Sequence, residues 1–241
     1  MKKITLLTIT SIFIISCSQS AVQEEQEKPL VEYVWHNAGP NFNAENLANL
    51  INEWNIIITE SGMDMLGANI LTPTLANEDF DFIWVMRWPS MSARDAGWEW
   101  WNSSGAQDNW AQSIDGIMSY SIENVFPFEV DEVAQPKIEN DSGSFLNRFH
   151  FCNYNDGNDS SSLKEFKNAV DSTTWSDTYW NVLLNPMFDP DPRPDFVWLD
   201  LWADQSDKDT ALGKFMDSEY ASMYVDNFTC NTADFSGVVI R

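Results

Sequence analysis

Residues 81–88 read DFIWVMRW, and residues 195–202 read DFVWLDLW. The two stretches share an aspartate, a phenylalanine and two tryptophans at the same spacing, and the second begins 114 residues after the first. Each is short, apolar and rich in aromatic and branched side chains, which is typical of a β-strand. The pair indicates that the chain contains two related halves.

Two further matches flank this strand in the same order. Residues 70–75 (ILTPTL) resemble residues 183–188 (LLNPMF), and the spacing Tyr33-x-Trp35-x-Asn37 resembles Phe149-x-Phe151-x-Asn153. All three offsets agree to within a few residues, as small loop insertions would produce. Because self-similarity at one period is the signature of a repeat, the sequence predicts a tandem duplication.

Each half predicts the order β-α-β-β-α-β. In the first half, strands are predicted over residues 31–37, 67–75, 80–88 and 118–126, with helices over 43–57 and 92–115. In the second half, strands are predicted over residues 145–153, 181–188, 195–202 and 232–240, with helices over 160–170 and 206–227. The resulting domains are residues 31–128 and 144–241, joined by an acidic linker over residues 129–143.

This order is that of the ferredoxin-like split unit, an α+β fold. Its first and third strands are central, and its fourth strand lies antiparallel beside the first. Cys152 ends the first strand of the second half, and Cys230 precedes its fourth strand. The topology therefore predicts a Cys152–Cys230 disulfide, against the alternative of two separate buried thiols.

The first residues predict export. MKK precedes an apolar run over residues 4–15, and Ser16-Cys17 follows it, so residues 1–16 resemble a lipoprotein signal peptide. The alternative is an ordinary signal peptide with a chance cysteine. Acylation of Cys17, with Ser18 after it, would place the protein at the outer membrane, facing the periplasm or the cell surface. The polar residues 17–30 predict a flexible tether.

The composition excludes one class of partner. The formal net charge is −24, and such a surface repels phosphate backbones, so nucleic-acid binding is disfavoured. The lipid anchor is the only membrane contact that the sequence predicts. If Cys17 carries lipid, Cys152 and Cys230 remain as a pair in an oxidising compartment, where disulfides persist.

A third strand that ends in tryptophan and leads through a small or acidic turn into an amphipathic helix resembles the dimeric α/β-barrel superfamily. The segments are WVMRWPS at residues 84–90 and WLDLWAD at residues 198–204. The superfamily includes antibiotic-biosynthesis-monooxygenase-like and EthD-like proteins, in which two ferredoxin-like modules enclose a barrel lumen. The resemblance implies that this chain builds such a barrel within one monomer.

The resemblance also implies which side chains face the lumen. If the last tryptophan of each third strand points inward, every second side chain of that strand points inward too, because side chains alternate between the two faces of a sheet. The expected aromatic lining for a small apolar or aromatic ligand is then Phe82, Trp84, Met86, Trp88, Phe196, Trp198 and Trp202. Ile83, Val85, Val197, Leu199 and Leu201 would pack under the helices, and the alternative is a lumen that is simply filled core.

Asp200 interrupts this apolar face where the first half has Met86. A buried carboxylate without a partner tends to have a raised pKa and could act as a general base. Pairing with Arg87 or Arg148 is the structural alternative. His36 and His150 are the only histidines, and with Asp200 they are the candidate catalytic residues.

No cofactor or metal is predicted. Haem relatives usually supply a histidine from a helix, and neither second helix contains one. The oxygen-rich loops at residues 153–159 and 189–195 do not match a calcium-loop spacing. No nucleotide-binding glycine pattern, nucleophile elbow or zinc spacing is present.

Three functions therefore stay open. The first is an exported, lipid-anchored protein whose barrel holds a small apolar or aromatic ligand. The second is a cofactor-independent oxygenase or isomerase of the dimeric α/β-barrel type. The third is a structural envelope lipoprotein with a filled lumen. A large cavity that holds Asp200 beside one of the two histidines would favour the enzyme.

Overall fold

The computed structural model describes residues 27–241. The first half contains β1 Leu30–Ala38, α1 Ala44–Ser61, β2 Gly67–Pro73, β3 Phe82–Trp88, α2 Met91–Ser103, α3 Ala106–Ser113 and β4 Met118–Ala134. The second half contains β5 Ser144–Tyr154, α4 Ser160–Asp171, β6 Trp180–Pro186, β7 Phe196–Trp202, α5 Gln205–Met216, α6 Glu219–Asn227 and β8 Phe228–Val239. The predicted signal peptide, Cys17 and the tether up to residue 26 lie outside the described residues.

The eight strands form one closed antiparallel barrel in the order β1-β3-β2-β8-β5-β7-β6-β4. Within each half the first strand lies between the third and the fourth, as the ferredoxin-like order predicts. The halves join edge to edge through β2 with β8 and β4 with β6. The predicted α+β fold, two ferredoxin-like modules that close a barrel within one chain, is confirmed. Closure leaves no unpaired sheet edge between the halves.

The second helix of each half is broken in two, where one continuous helix was predicted. In the first half Gly105 separates α2 from α3 and adopts φ 85°, a left-handed conformation that favours glycine. In the second half Ser218 separates α5 from α6, and its side chain accepts a hydrogen bond from the Tyr220 N–H as the new N-cap. The breaks let the helical segments bend around the barrel.

The connecting segments are shorter than predicted. Strand β4 continues through the expected linker to Ala134, since the backbone of Val130 pairs with that of Leu184 in β6. This half-exposed strand was predicted as a linker because acidic residues recur along it. At the other end of the chain, Leu30 is buried in β1, and Lys28 forms ion pairs with Glu129 at 2.9 Å and Asp131 at 2.7 Å. The last residues of the expected tether therefore contact the barrel.

The two faces of β3 and β7 are the reverse of those expected. The tryptophan faces pack against helices: Trp84 contacts Trp54 of α1 and Trp110 of α3, and Trp198 contacts Phe166 of α4. The other residues of the expected lining also pack with helix side chains in the two sheet–helix cores. These residues of β3 and β7 are Phe82, Met86, Trp88, Phe196 and Trp202. The expectation that these side chains line the lumen is wrong.

The barrel interior holds the branched aliphatic face instead. Ile83, Val85, Val197, Leu199 and Leu201 share one core with Tyr33, Phe128, Phe149 and Phe235 from both halves. Tyr33 packs edge-on against Phe128 and Phe149, with ring centroids 5.4 and 5.3 Å apart. The interior of an eight-stranded barrel can be filled completely by its own side chains. Branched residues suit that space, whereas indole rings suit the wider gap under a helix.

The predicted disulfide between Cys152 and Cys230 is present. The two residues are directly opposite each other in the β5–β8 ladder, and Cys152 is fully buried. The bond closes a loop with a sequence separation of 78 residues. Loop-closure entropy for this length corresponds to about 4 kcal/mol of stabilisation. The bond also fixes the start of β8, which directly follows α6.

Within residues 27–241, no helix combines the length and apolar character that crossing a membrane requires. In the same part of the chain, no three His, Cys, Asp or Glu side chains are grouped as a metal site.

Candidate functional site in the second module

A cavity of about 290 Å³ lies between the outer face of the second sheet and helices α4, α5 and α6. Its volume is close to the lower end of the range for small-molecule sites. Most of its wall is apolar, and the apolar lining includes Phe166, Val170, Trp175, Phe196, Trp198, Trp202, Ala211, Leu212, Phe215 and Ala221. Six polar side chains also line it: Arg148, His150, Asp200 and Thr232 from the strands, Tyr179 just before β6, and Tyr224 from α6.

Local sequence explains how the helices frame the cavity. Helix α4 begins after Asp159, whose carboxylate accepts a hydrogen bond from the Ser161 N–H. Phe166 and Val170 follow at helical spacing and point from α4 into the cavity wall. Helix α5 begins after Asp204, whose carboxylate accepts from the Asp207 N–H. Both helices thus start at an acidic N-cap and present their apolar stripe to the sheet.

Asp200 is the centre of the polar wall. Its Oδ1 accepts hydrogen bonds from the Tyr179 hydroxyl and the Trp198 Nε1–H, both at 2.7 Å. Its Oδ2 lies 3.0 Å from His150 Nε2. The alternative of an arginine partner is not realised, because Arg148 binds Asp234 and Arg87 extends toward the Leu66 carbonyl. The carboxylate is therefore held by three separate side-chain donors instead of one guanidinium.

These contacts determine the direction of the Asp200 pKa. Burial alone would raise the pKa of this carboxyl group, as expected for a carboxylate without a partner. Hydrogen bonds from His150, Tyr179 and Trp198, together with the charge that His150 carries when protonated, outweigh burial and lower the pKa below its ordinary value. Asp200 is therefore an ionised acceptor at neutral pH.

The ionised carboxylate determines the tautomer of His150. A carboxylate can only accept hydrogen bonds, so His150 Nε2 carries the hydrogen that Asp200 accepts. In a neutral ring Nδ1 is then an acceptor, and it lies 2.9 Å from the Tyr224 hydroxyl. Tyr224 donates to His150, and His150 donates to Asp200. The three side chains form one chain of hydrogen bonds that ends in the cavity at Tyr224.

Both tyrosines of the wall stay neutral over the physiological range. Burial raises the pKa of Tyr224 to about 12, with a further contribution from the negative charge of Asp200. Burial also raises the pKa of Tyr179 well above its usual value, and Asp200 again adds to the shift. Their hydroxyl groups therefore act as hydrogen-bond donors and acceptors within the cavity.

A second charged group borders the cavity. Asp234 of β8 accepts two hydrogen bonds from Arg148, at 2.9 and 2.8 Å, and one from Lys208 at 2.6 Å. The Lys208 ammonium lies 5.2 Å from the centre of the Trp202 ring, a cation–π distance. Two cations thus share one carboxylate, and Arg148 remains a positively charged side chain on the cavity wall.

The equivalent space in the first module is almost filled. A cavity of about 50 Å³ lies there beside His36, Trp84, Met86 and Trp88. Trp84 stands where the second module has Trp198, and Met86 where it has Asp200. The Trp84 Nε1–H consequently has no hydrogen-bond partner among the residues that the structure describes. Among the described residues, the linked group of aspartate, histidine and tyrosine occurs in the second module and not at the equivalent place in the first.

His36 does not join Asp200. It is buried in the first module, where its ring stacks on Phe82 and its Nδ1 lies 2.9 Å from the Val34 carbonyl. Burial lowers the pKa of His36 to about 4, so the ring is neutral. Of the three predicted catalytic residues, the structure brings Asp200 and His150 together and leaves His36 in the other module.

Predicted ligand-binding residues divide between the two modules. Phe196, Trp198 and Trp202 line the larger cavity, and Trp84, Met86 and Trp88 line the smaller one. Phe82 lies beside His36 without lining either. Tyr179 and Tyr224 were not predicted as site residues. The offset of 114 residues matches Tyr224 with Trp110 of the first half, and this replacement of an indole by a ring with a hydroxyl group could have indicated Tyr224.

The cavity has an apolar mouth between α5 and α6. Met216, the last residue of α5, and Val225 of α6 both line the cavity. Their exposed fractions are 69% and 67%, which is unusual for large apolar side chains. Exposed apolar side chains at a cavity rim favour the passage of an apolar molecule.

Solved structures that share this architecture include a chlorite dismutase, a proposed monooxygenase and a haem-binding protein. A mutant chlorite dismutase from Candidatus Nitrospira defluvii superposes with a TM-score of 0.55 at 9% identity, covering 89% of this chain and 93% of that one. The chain shares its fold with the chlorite dismutase-like proteins. A proposed monooxygenase from Fusobacterium nucleatum gives 0.55 at 12% identity, covering 90% and 94%.

A third structure of this fold is described as a novel haem-binding protein from Thermus thermophilus. It superposes with a TM-score of 0.52 at 12% identity, covering 88% of this chain and 91% of that one. No family model matches the sequence, and no curated protein matches it. At these identities the likeness concerns the fold alone, and the function must be argued from the site.

Proposed function

We propose that this protein binds a small, largely apolar or aromatic molecule in the cavity of the second module. The observation that carries the proposal is the cavity itself: about 290 Å³ of space, an apolar wall, and one group of convergent polar side chains. Small-molecule sites typically combine an apolar enclosure with a few polar groups that orient the ligand. The equivalent cavity of the first module measures about 50 Å³.

The histidine and cysteines near this cavity are not free to ligate haem. Both nitrogens of His150 are engaged, by Asp200 and Tyr224, and both described cysteines form the disulfide. Haem iron also takes methionine or tyrosine as an axial ligand, and Met216 and Tyr224 line the cavity. The proposal is an organic ligand of another class, because the one histidine of the cavity is held within the wall.

A cofactor-independent oxygenase or isomerase is the second candidate. The specific observation in its favour is the placement of Asp200 beside His150 on the wall of the larger cavity. A histidine held by a carboxylate is the usual arrangement of a general base. The structural alternative receives less support, because the filled barrel interior is separate from this cavity.

A cavity-filling variant tests the binding proposal. The full chain should bind 2-naphthol, an aromatic probe with one hydroxyl group, as measured by isothermal titration calorimetry. Ala221→Phe adds a ring at the cavity wall and should weaken binding at least tenfold, about 1.4 kcal/mol. Ser222→Phe adds the same ring at the neighbouring exposed position and should leave the affinity unchanged. Equal binding by both variants would refute the cavity as the site.

We further propose that the protein is exported, acylated at Cys17 and held as a monomer at the outer membrane. The order of basic, apolar and small residues before Cys17 supports the anchor, and the disulfide supports an oxidising compartment. The barrel is closed within one chain, which supports a monomer. The same order of elements in both halves supports an origin by tandem duplication.

Labelling with a radioactive fatty acid in a bacterial host tests the anchor. The wild-type chain should incorporate label and fractionate with the outer membrane, whereas Cys17→Ser should do neither. Unlabelled wild-type protein recovered in the soluble fraction would reject the anchor.

A further inference from the structure

The cavity presents a hydrogen-bond acceptor to its ligand. In the neutral arrangement the Tyr224 hydrogen points to His150 Nδ1, 2.9 Å away, and the His150 hydrogen points to Asp200 Oδ2, 3.0 Å away. The Tyr224 oxygen keeps its lone pairs, and Tyr224 lines the cavity. A ligand that meets this oxygen must donate a hydrogen bond to it.

Resting on the proposed function, we infer that the ligand is a hydroxylated aromatic or enolic molecule, and that Tyr224, His150 and Asp200 take up its proton. The ligand O–H donates to the Tyr224 oxygen. As that proton moves to Tyr224, the Tyr224 proton moves to His150 Nδ1. The products are a ligand oxyanion that accepts a hydrogen bond from the Tyr224 hydroxyl, and an imidazolium that faces the Asp200 carboxylate. One proton leaves the ligand and one arrives on His150.

The charges around this chain of hydrogen bonds favour the transfer. Asp200 of β7 is the ionised group that faces His150, and it stabilises a positive charge on the ring. Tyr179 donates to the other Asp200 oxygen, and Trp198 donates to the same atom. Those two donors hold the carboxylate in place and leave Asp200 Oδ2 to accept from His150.

The remaining charged groups near the site are two cations and one carboxylate. Arg148 of β5 and Lys208 of α5 both bind Asp234 of β8, so these three groups carry one net positive charge. Asp200 is the acid that faces His150. The cavity wall therefore offers the ligand an acceptor that is coupled to a base, beside the positive charge of Arg148.

The roles of the three residues differ. Tyr224 is the group that touches the ligand hydroxyl. His150 receives the proton through Tyr224, and Asp200 fixes the His150 tautomer, so both are positioning residues. Tyr224 sits on α6 and packs against Phe166, Phe215 and Phe228. Its ring is held by these contacts, so removal of the hydroxyl alone should leave the helix in place.

The ionisation of bound 4-nitrophenol tests the inference, because the phenolate of this probe absorbs visible light. A plain apolar cavity disfavours the charged form and would raise the pKa of the bound phenol. The coupled base should instead lower it by about one pH unit or more, a tenfold change in the ionisation constant. The measurement is a pH titration of absorbance with the full chain in excess over the probe.

Matched variants identify the source of the shift. Tyr224→Phe and His150→Gln should abolish the lowering while retaining binding of the neutral probe. Tyr220→Phe removes a hydroxyl from the same helix, from a ring that packs on Trp175 outside the hydrogen-bonded group, and should leave the shift intact. An unchanged shift in Tyr224→Phe would overturn the assigned role of Tyr224.

The outcomes separate the inference from the proposed function. If 4-nitrophenol binds and its ionisation is unchanged or suppressed, the cavity remains a ligand site and the proton uptake is refuted. Equal affinity for 2-naphthol and 2-methoxynaphthalene would refute the requirement for a hydroxyl donor in the same way. If none of the three probes binds, the proposed function itself fails.

Discussion

Single side chains decide which of the two modules carries a site. The tryptophans Trp84 and Trp198 occupy equivalent positions, but only Trp198 has an acceptor for its Nε1–H, because Asp200 replaces Met86. The replacement also gives His150 and Tyr179 their acceptor. Asp200 thus supplies the acceptor around which the polar wall of the second module is arranged.

Replacing Asp200 with methionine should recreate the first-module core at a large cost in stability. The change leaves His150, Tyr179 and Trp198 without their acceptor, and each unsatisfied buried donor costs about 1–3 kcal/mol. We expect Asp200→Met to lower the free energy of unfolding by about 3 kcal/mol or more, measured by urea denaturation. The control Met86→Leu should change it by less than about 1.5 kcal/mol. Wild-type stability in Asp200→Met would show that the three bonds contribute nothing net.

His36 should make stability fall as the pH is lowered. Its pKa is about 4 in the folded state because of burial, and about 6.5 in an unfolded chain. As the pH falls, His36 therefore takes up its proton in the unfolded state before it does so in the folded state. The stability that the protein has with His36 neutral is complete above pH 6.5 and is lost progressively between pH 6.5 and 4. At pH 5 the expected loss is about 2 kcal/mol.

His36→Phe checks this assignment, because phenylalanine can keep the stacking on Phe82 without the titrating group. Urea unfolding at pH 7 and pH 5 should show a smaller decrease for the variant than for the wild type. The same decrease in both proteins would assign the acid sensitivity to other groups.

At the scale of elements, the sequence predicted more of the topology than of the packing. The repeated strands and the spacing of Cys152 and Cys230 sufficed for the strand order and the disulfide. Alternation along 82–88 defines two faces but does not say which one points into the barrel, since both are apolar. That choice depends on side-chain volume in a closed barrel, which is a property of all eight strands together.

The candidate site shows the same limit. Asp200 was identifiable because a carboxylate interrupts an apolar strand, and His150 because histidines are few. Their pairing depends on the register of β5 against β7, which sets His150 opposite Trp198 and Arg148 opposite Asp200. Tyr224 comes from α6, whose separation from α5 was not predicted. The site joins side chains of β5, β7 and α6, and residue spacing within a single element does not predict contacts between elements.

Helix α6 should be the most mobile wall of the cavity. It contains no buried residue, whereas α4 buries Leu163, Phe166, Lys167 and Val170. Few buried contacts predict low local stability against opening. We expect the backbone amides of α6 to exchange hydrogen faster than those of α4, and to become protected when 2-naphthol is bound. Protection of α6 equal to that of α4 in the free protein would contradict this expectation.

On the scale of the whole molecule, the two halves share one interior. Tyr33 of the first half packs on Phe149 of the second, with ring centroids 5.3 Å apart, inside a core drawn from all around the barrel. The halves also complete each other's sheets through β2 with β8 and β4 with β6. Neither half can bury its inner face or pair its outer strands alone.

We therefore expect residues 27–138 and 139–241 to be unstable when expressed separately and to assemble when produced together. An unpaired strand edge beside an exposed apolar face is a site of aggregation, so each half alone should elute as oligomers or unfold. Size-exclusion chromatography with light scattering should show a one-to-one complex for the co-expressed halves. Cleavage of the full chain within residues 138–142, between β4 and β5, is the matched control and should leave the barrel intact, because no strand is cut. A half that stays folded and monomeric would mean that the modules are independent domains and that the shared interior contributes little to either.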